Sequence, residues 1–301
     1  MTSFPTLRLS ALCLAVVFLA VAPAVAQQTG IGLVIETDPD LAPDQPPISQ
    51  GRIKSTESGF TDALEGSEPK RNKPYETIPP IGLADPASAR VVIWNHGTTS
   101  SLQREACATE GNAPPASIRA LEEDGVHIYF LCSQVAVRAR MQDLGRYIYL
   151  RMEEVDATIR ALTALGVPAD QIYLAGHSAG GWTALMMAKE WGGRLGGIIA
   201  FAPAFAGRRD RDDTREWLTE AQPRLIADMK TAARMRALVY AYTDDAFNRP
   251  QELAFLTERW PEGVELIAYG CDPEADHGSH IRDCRADRTR AQIRRFVLGQ
   301  R

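Results

Sequence analysis

The chain has 301 residues, of which 45% are hydrophobic and 24% charged, with a formal net charge of −5. Basic and acidic residues are interspersed, which argues against a nucleic-acid partner and against a strongly charged docking surface. No Cys-x-x-Cys pair or histidine cluster has zinc spacing, so neither a metal nor a cofactor is expected.

Residues 1–26 read as a secretory signal peptide. Arg8 gives a positive start, Leu9 to Val21 is an apolar core, and Ala24-Val25-Ala26 is a cleavage site before Gln27. The core is too short for a comfortable transmembrane helix, and no other stretch could span a bilayer. The mature chain is therefore expected in the periplasm or outside the cell; the alternative is an uncleaved N-terminal anchor. About 275 residues remain, enough for one large α/β domain. Four cysteines survive: Cys107, Cys132, Cys271 and Cys284. An even count in an exported chain suggests two disulfides. Cys107–Cys132 and Cys271–Cys284 are the preferred pairs, because each joins neighbouring segments; the other pairings and buried free thiols stay open.

Residues 27–89 form an N-terminal extension. Ile31–Ile35 could be a strand, Leu41–Pro47 is proline-rich and extended, and 52–80 mix charge, glycine and proline around a candidate edge strand at Tyr75–Ile78. From Arg90 strands and helices alternate, which predicts a mostly parallel sheet with helices on both faces. Strands are predicted at Val91–Trp94, Val126–Leu131 and Ile172–Ala175, with helices at Pro114–Asp124 and Met141–Leu165 between them. Ile148, Met152, Val155, Ile159 and Leu162 make one stripe of the second helix. Gly176-His177-Ser178-Ala179-Gly180 follows the third strand, and a helix is predicted over Trp182–Ala188.

Strand, G-x-S-x-G turn and helix form a nucleophile elbow: a tight, strained turn that exposes a serine hydroxyl at its tip. Here the chain resembles the α/β-hydrolase superfamily, over roughly Arg90 to the C-terminus. The later elements fit that resemblance. Strands are predicted at Gly197–Phe201, Ala237–Tyr242 and Val264–Tyr269, and helices at Pro250–Arg259 and Arg285–Leu298. Residues 204–236 interrupt the alternation; they could form a small lid or a solvated loop and helix.

A serine hydroxyl needs a base to take its proton and an acid to hold that base. The resemblance implies the chain order serine, acid, histidine. Ser178 would be the nucleophile. Thr243-Asp244-Asp245 follows the strand after the insertion; the spacing favours Asp245, with Asp244 as the alternative. His277-Gly278 follows the last strand and looks like the histidine loop of dienelactone hydrolases and related esterases; His280 is the alternative. Backbone N–H groups of Ala179 and Thr98 would form the oxyanion hole, Thr98 because His96-Gly97 matches the family's oxyanion His-Gly. His96 itself reads as a structural hydrogen-bonding residue, and His177 as a packed one.

With the resemblance, these residues imply a serine hydrolase cleaving small-molecule carboxylic esters, with amides left open, similar to dienelactone-hydrolase-like enzymes and small esterases with little lid. The alternatives are a peptidase of the prolyl-oligopeptidase type and a non-catalytic scaffold that binds a ligand. No propeller precedes the domain, which counts against the peptidase. Substrate identity and oligomeric state cannot be read from the sequence.

Overall fold

The structure is a computed structural model; it describes residues 33–36, 49–53, 83–98, 112–131, 133, 135, 145–270, 275–281 and 285–299. The expected signal peptide, the four cysteines of the two expected disulfides, Leu41–Pro47 and the candidate strand at Tyr75–Ile78 lie outside the described residues.

Eight strands form one sheet: β1 (Leu33–Glu36), β2 (Ser49–Ile53), β3 (Val91–Asn95), β4 (His127–Leu131), β5 (Ile172–His177), β6 (Gly197–Phe201), β7 (Ala237–Tyr242) and β8 (Val264–Tyr269). Their order is β1-β2-β4-β3-β5-β6-β7-β8. β3 to β8 run parallel throughout, β2 is parallel to β4, and β1 pairs antiparallel with β2. This is the α/β-hydrolase fold.

The inner strands are covered on both faces, so they read as unbroken apolar runs. Successive side chains still alternate between two cores. Val91, Ile93, Leu174 and Ala200 point to one core; Val92, Trp94, Ala175 and Ile199 point to the other. The first core holds α2 (Arg146–Ala164) and α3 (Ala179–Met186), with α4 (Ala188–Trp191), α5 (Gln222–Met229) and α6 (Phe255–Arg259). The second holds α1 (Ala116–Arg119) and α7 (Ala286–Leu298). All five stripe residues of α2 are fully buried.

Four helices differ in extent from the sequence reading; α2, predicted from Met141, starts at Arg146 after Gly145, whose φ is 81°. The segment predicted helical from Pro114 becomes α1 and then a 3₁₀ turn, Ala120–Asp124. Pro250–Arg259 divides into a 3₁₀ turn, Pro250–Leu253, and α6. α3 begins at Ala179, three residues before the predicted start, and so includes Gly180 and Gly181. Glycine is a poor helix former, and close packing explains its presence here. A Cβ on Gly180 would stand 2.0 Å from the Asn95 carbonyl oxygen and 2.5 Å from that of His96. One on Gly176 would stand 2.5 Å from the Gly180 carbonyl carbon. The elbow therefore lies backbone against backbone on the end of β3.

No relaxation of a flexible side chain can relieve a clash with backbone. Gly180→Ala is expected to destabilise the protein by about 3 kcal/mol, the upper range of overpacking, which urea unfolding would read. A variant as stable as the parent would contradict this account of the contact.

Candidate active site

Four loops meet at the carboxyl ends of parallel strands, the usual place for a site in an open α/β sheet. They follow β3, β5, β7 and β8. Ser178, after β5, has φ 52° and ψ −122°. A non-glycine residue there is strained, and the surroundings hold it. The Ser178 N–H donates to the Phe201 carbonyl at 3.0 Å. The Ser178 carbonyl accepts from Trp182 N–H at 2.9 Å, as α3 starts, and from Ala204 N–H at 3.1 Å.

The Ser178 hydroxyl lies 2.9 Å from Nε2 of His277. Nδ1 of His277 lies 2.9 Å from Oδ2 of Asp245. A carboxylate only accepts, so Nδ1 carries the imidazole proton in the neutral ring and Nε2 is left to accept from the serine. Asp245 is fully buried, and its other oxygen accepts from Phe247 N–H at 2.7 Å. The Phe247 ring packs on His277, centroids 4.2 Å apart.

The neighbouring candidates have other partners. Asp244 faces the backbone of the histidine loop: its Oδ2 accepts from Ala275 N–H at 3.1 Å, and its own N–H donates to the Ala275 carbonyl at 3.0 Å. It thereby ties the loop after β7 to the loop after β8. His280 is buried and stacks on His177, centroids 3.6 Å apart and planes 11° apart. His177 Nε2 lies 2.9 Å from the His277 carbonyl, which can only accept, so His177 donates there. Burial above all, then the neighbouring His280 and His277, hold its pKa well below the usual histidine value. It is a neutral support under the His277 loop.

The turn after β3 approaches the serine. A Cβ on Gly97 would stand 3.3 Å from His177 Nδ1 and 3.5 Å from Ser178 Cβ. Thr98, next in the chain, is exposed and lines the cavity; Ala179 is fully buried at the first turn of α3. His96 is buried, and Ser133 N–H donates to its Nε2 at 3.0 Å. Its proton is therefore on Nδ1, which lies 2.7 Å from the Gly97 carbonyl. Burial, then the charge of Arg151, lower its pKa to about 3.

A cavity of about 630 Å³ opens over Ser178 and His277. Its walls include Tyr147, Phe205, Trp217 and Phe247. Phe205 and Trp217 belong to the inserted segment 204–236, which thus walls the cavity. Phe205 packs on Trp182, centroids 4.9 Å apart, and Trp217 on Tyr147 at 6.1 Å. Nothing in the periodicity of the sequence marked these aromatic residues as site residues, because the packing that brings them together is long-range. Among the described residues no cluster of metal-ligating side chains occurs, and no helix is long and apolar enough to cross a membrane.

Several comparisons can be set beside this geometry. The Phospholipase/Carboxylesterase family matches residues 137–221, a span that holds α2, the serine turn and the start of the insertion. No curated protein sequence matches the chain. Solved structures it is similar to include Thermogutta terrifontis esterase 2, at TM-score 0.48 and 16% identity over 71% of this chain and 85% of that one. Another is Paleococcus ferrophilus monoacylglycerol lipase, at TM-score 0.47 and 14% identity over 70% and 95%.

The neutrality of His96 has a consequence for stability. An unfolded histidine binds a proton below about pH 6.5, whereas folded His96 stays neutral until about pH 3. Between those values the unfolded state binds more protons, so stability falls with falling pH, by about 1.4 kcal/mol per pH unit from this group. His96→Gln, which keeps one donor and one acceptor, should show a shallower acid loss in urea unfolding between pH 6 and pH 4. Equal slopes would contradict the assignment of a neutral, buried His96. The strand order and the strained serine turn are those of the α/β-hydrolase fold, and the Phospholipase/Carboxylesterase match falls on the segment that holds the turn.

Proposed function

We propose that the protein is an exported serine hydrolase that cleaves carboxylic esters through an acyl-enzyme intermediate. The observation that carries this reading is the continuous hydrogen-bonded line from Ser178 through His277 to buried Asp245, opening into a cavity walled by aromatic side chains. In this reading His277 Nε2 takes the serine proton as Oγ attacks the ester carbonyl carbon. Asp245 stabilises the imidazolium that results. The carbonyl oxygen becomes an oxyanion and is met by Thr98 and Ala179 N–H. The carbon–oxygen bond to the alcohol then breaks, and the imidazolium returns its proton to the leaving alkoxide. Water repeats the sequence on the acyl-serine, releases the acid and restores the serine.

Export rests on the N-terminal pattern around Arg8 and Ala24-Val25-Ala26. The mature chain would start at Gln27, with Cys107–Cys132 and Cys271–Cys284 as its disulfides. The second pair would close a loop around His277 and hold the base in place.

A fluorophosphonate probe should label the parent, and Ser178→Ala should abolish labelling and lower turnover by several orders of magnitude. His277→Ala should lose nearly all turnover, whereas folded His280→Ala should keep a substantial fraction. Asp245→Asn should be crippled and Asp244→Asn milder. The reading fails if labelling survives Ser178→Ala, or if His280→Ala is dead beside an active His277→Ala.

The aromatic walls make a further test of the cavity as the acyl site. Removing the Trp217 ring takes apolar surface from a long chain and little from a short one. Trp217→Ala should raise KM for p-nitrophenyl octanoate about tenfold and leave that for the acetate within about twofold. Equal changes for both esters would place the acyl chain elsewhere.

A further inference from the structure

Four charged side chains of α2 are buried. Arg151, Glu153, Glu154 and Asp156 are each no more than 5% exposed. Of these, Arg151 reaches the turn beside Ser178. Its Nη2 donates to the His96 carbonyl at 2.5 Å and its Nη1 to the Gly97 carbonyl at 3.3 Å. The His96 ring donates to the same Gly97 carbonyl from Nδ1. Behind them, Ser133 joins the two sides: its N–H donates to His96 Nε2 and its hydroxyl to Glu154 Oε2 at 2.6 Å. The charge of Glu154 favours the charged form of Arg151, against a larger opposing effect of burial.

Burying a guanidinium is costly, and apolar residues of similar volume often pack as well or better. The arrangement therefore asks for a reason beyond stability, and the peptide geometry offers one. In a trans peptide the carbonyl and the next N–H lie in one plane and point in opposite directions. Two donors converging on the Gly97 carbonyl fix the direction of the Thr98 N–H, away from Arg151. The positive charge on the carbonyl side also polarises the peptide and strengthens that N–H as a donor.

We propose that Arg151 is a positioning residue for ester hydrolysis, clamping the His96 and Gly97 carbonyls so that the Thr98 N–H is held ready for the oxyanion; this rests on the ester-hydrolase reading above. Arg151 touches neither substrate nor reacting atoms. Because the oxyanion exists only in the transition state, loosening the clamp lowers kcat and leaves KM nearly unchanged.

The test compares kcat and KM for p-nitrophenyl butyrate, and inhibition by an alkyl trifluoromethyl ketone, across four proteins. These are the parent, Arg151→Lys, the double variant Arg151→Met/Glu154→Gln, and Asp156→Asn as a control. Lysine keeps the buried charge but, as a single ammonium, cannot bridge both carbonyls in the planar geometry of arginine. Arg151→Lys should lower kcat about tenfold and the double variant about 100-fold, with KM within about twofold. The ketone, which forms an oxyanion on the serine, should weaken by the same factors. Asp156 holds Trp191 Nε1 and Arg160 on the same helix. Its asparagine variant should lower Tm and leave kcat unchanged, which separates a clamp from general loss of buried polar contacts. Should the double variant not fold, Arg151→Lys decides alone. Parental kcat and ketone affinity in Arg151→Lys, or an equal kcat loss in Asp156→Asn, would overturn the clamp while the parent still hydrolyses esters. A parent that hydrolyses no ester would overturn the functional reading, and the clamp with it.

Discussion

The site depends on one contact, the backbone-on-backbone packing of the serine turn against the end of β3. Gly176 and Gly180 lie so close to each other and to Asn95 and His96 that no side chain fits between them. That contact sets two things together. It forces the tight reversal in which Ser178 takes φ 52°. It also brings the turn after β3 beside the serine: a Cβ on Gly97, next to Thr98, would stand 3.5 Å from Ser178 Cβ. The strained residue is held by three backbone hydrogen bonds to its own N–H and carbonyl. Its hydroxyl is thereby left to meet the histidine.

The remaining parts are supports of different stiffness. Asp245 is buried, and its Oδ1 accepts from Phe247 N–H, which leaves Oδ2 to face the histidine. His277 comes on a longer loop and needs more help. Asp244 pins that loop at Ala275, and His177 pins it at the His277 carbonyl. Two of the polar residues flanking the proposed triad thus do mechanical work through backbone groups. Neutrality matters here: a charged His177 would place a cation beside the ring that must itself become positive in the proposed reaction. Burial keeps His177 neutral and removes that conflict.

Much of this was legible in the sequence because burial on two faces leaves a simple trace. The six parallel strands from β3 to β8 appear as short apolar runs, and their predicted limits agree with the structure to within two residues. The α2 stripe was legible for the same reason, since periodic apolar residues face one core. The helix starts were less so. α3 begins on glycines that propensity disfavours and tertiary contact requires. Three features needed the fold itself. Spacing favoured Asp245 but left Asp244 open; the fold buries Asp245 fully and leaves Asp244 exposed, facing the backbone of Ala275. The buried charges of α2 follow no amphipathic pattern, because Arg151, Glu154 and Asp156 meet His96, Gly97, Ser133 and Trp191, all outside the helix. The aromatic walls from Phe205 and Trp217 depend on how an irregular segment folds back, which local pattern does not encode.

A crystal structure of the protein after reaction with an alkyl phosphonate ester would test the central claim most directly. The account expects phosphorus bonded to Ser178 Oγ, with the phosphonyl oxygen about 2.7–3.1 Å from both the Thr98 and Ala179 nitrogens. It also expects His277 to remain bonded to Asp245. Phosphorus on any other residue, or a phosphonyl oxygen turned away from those two N–H groups, would contradict it.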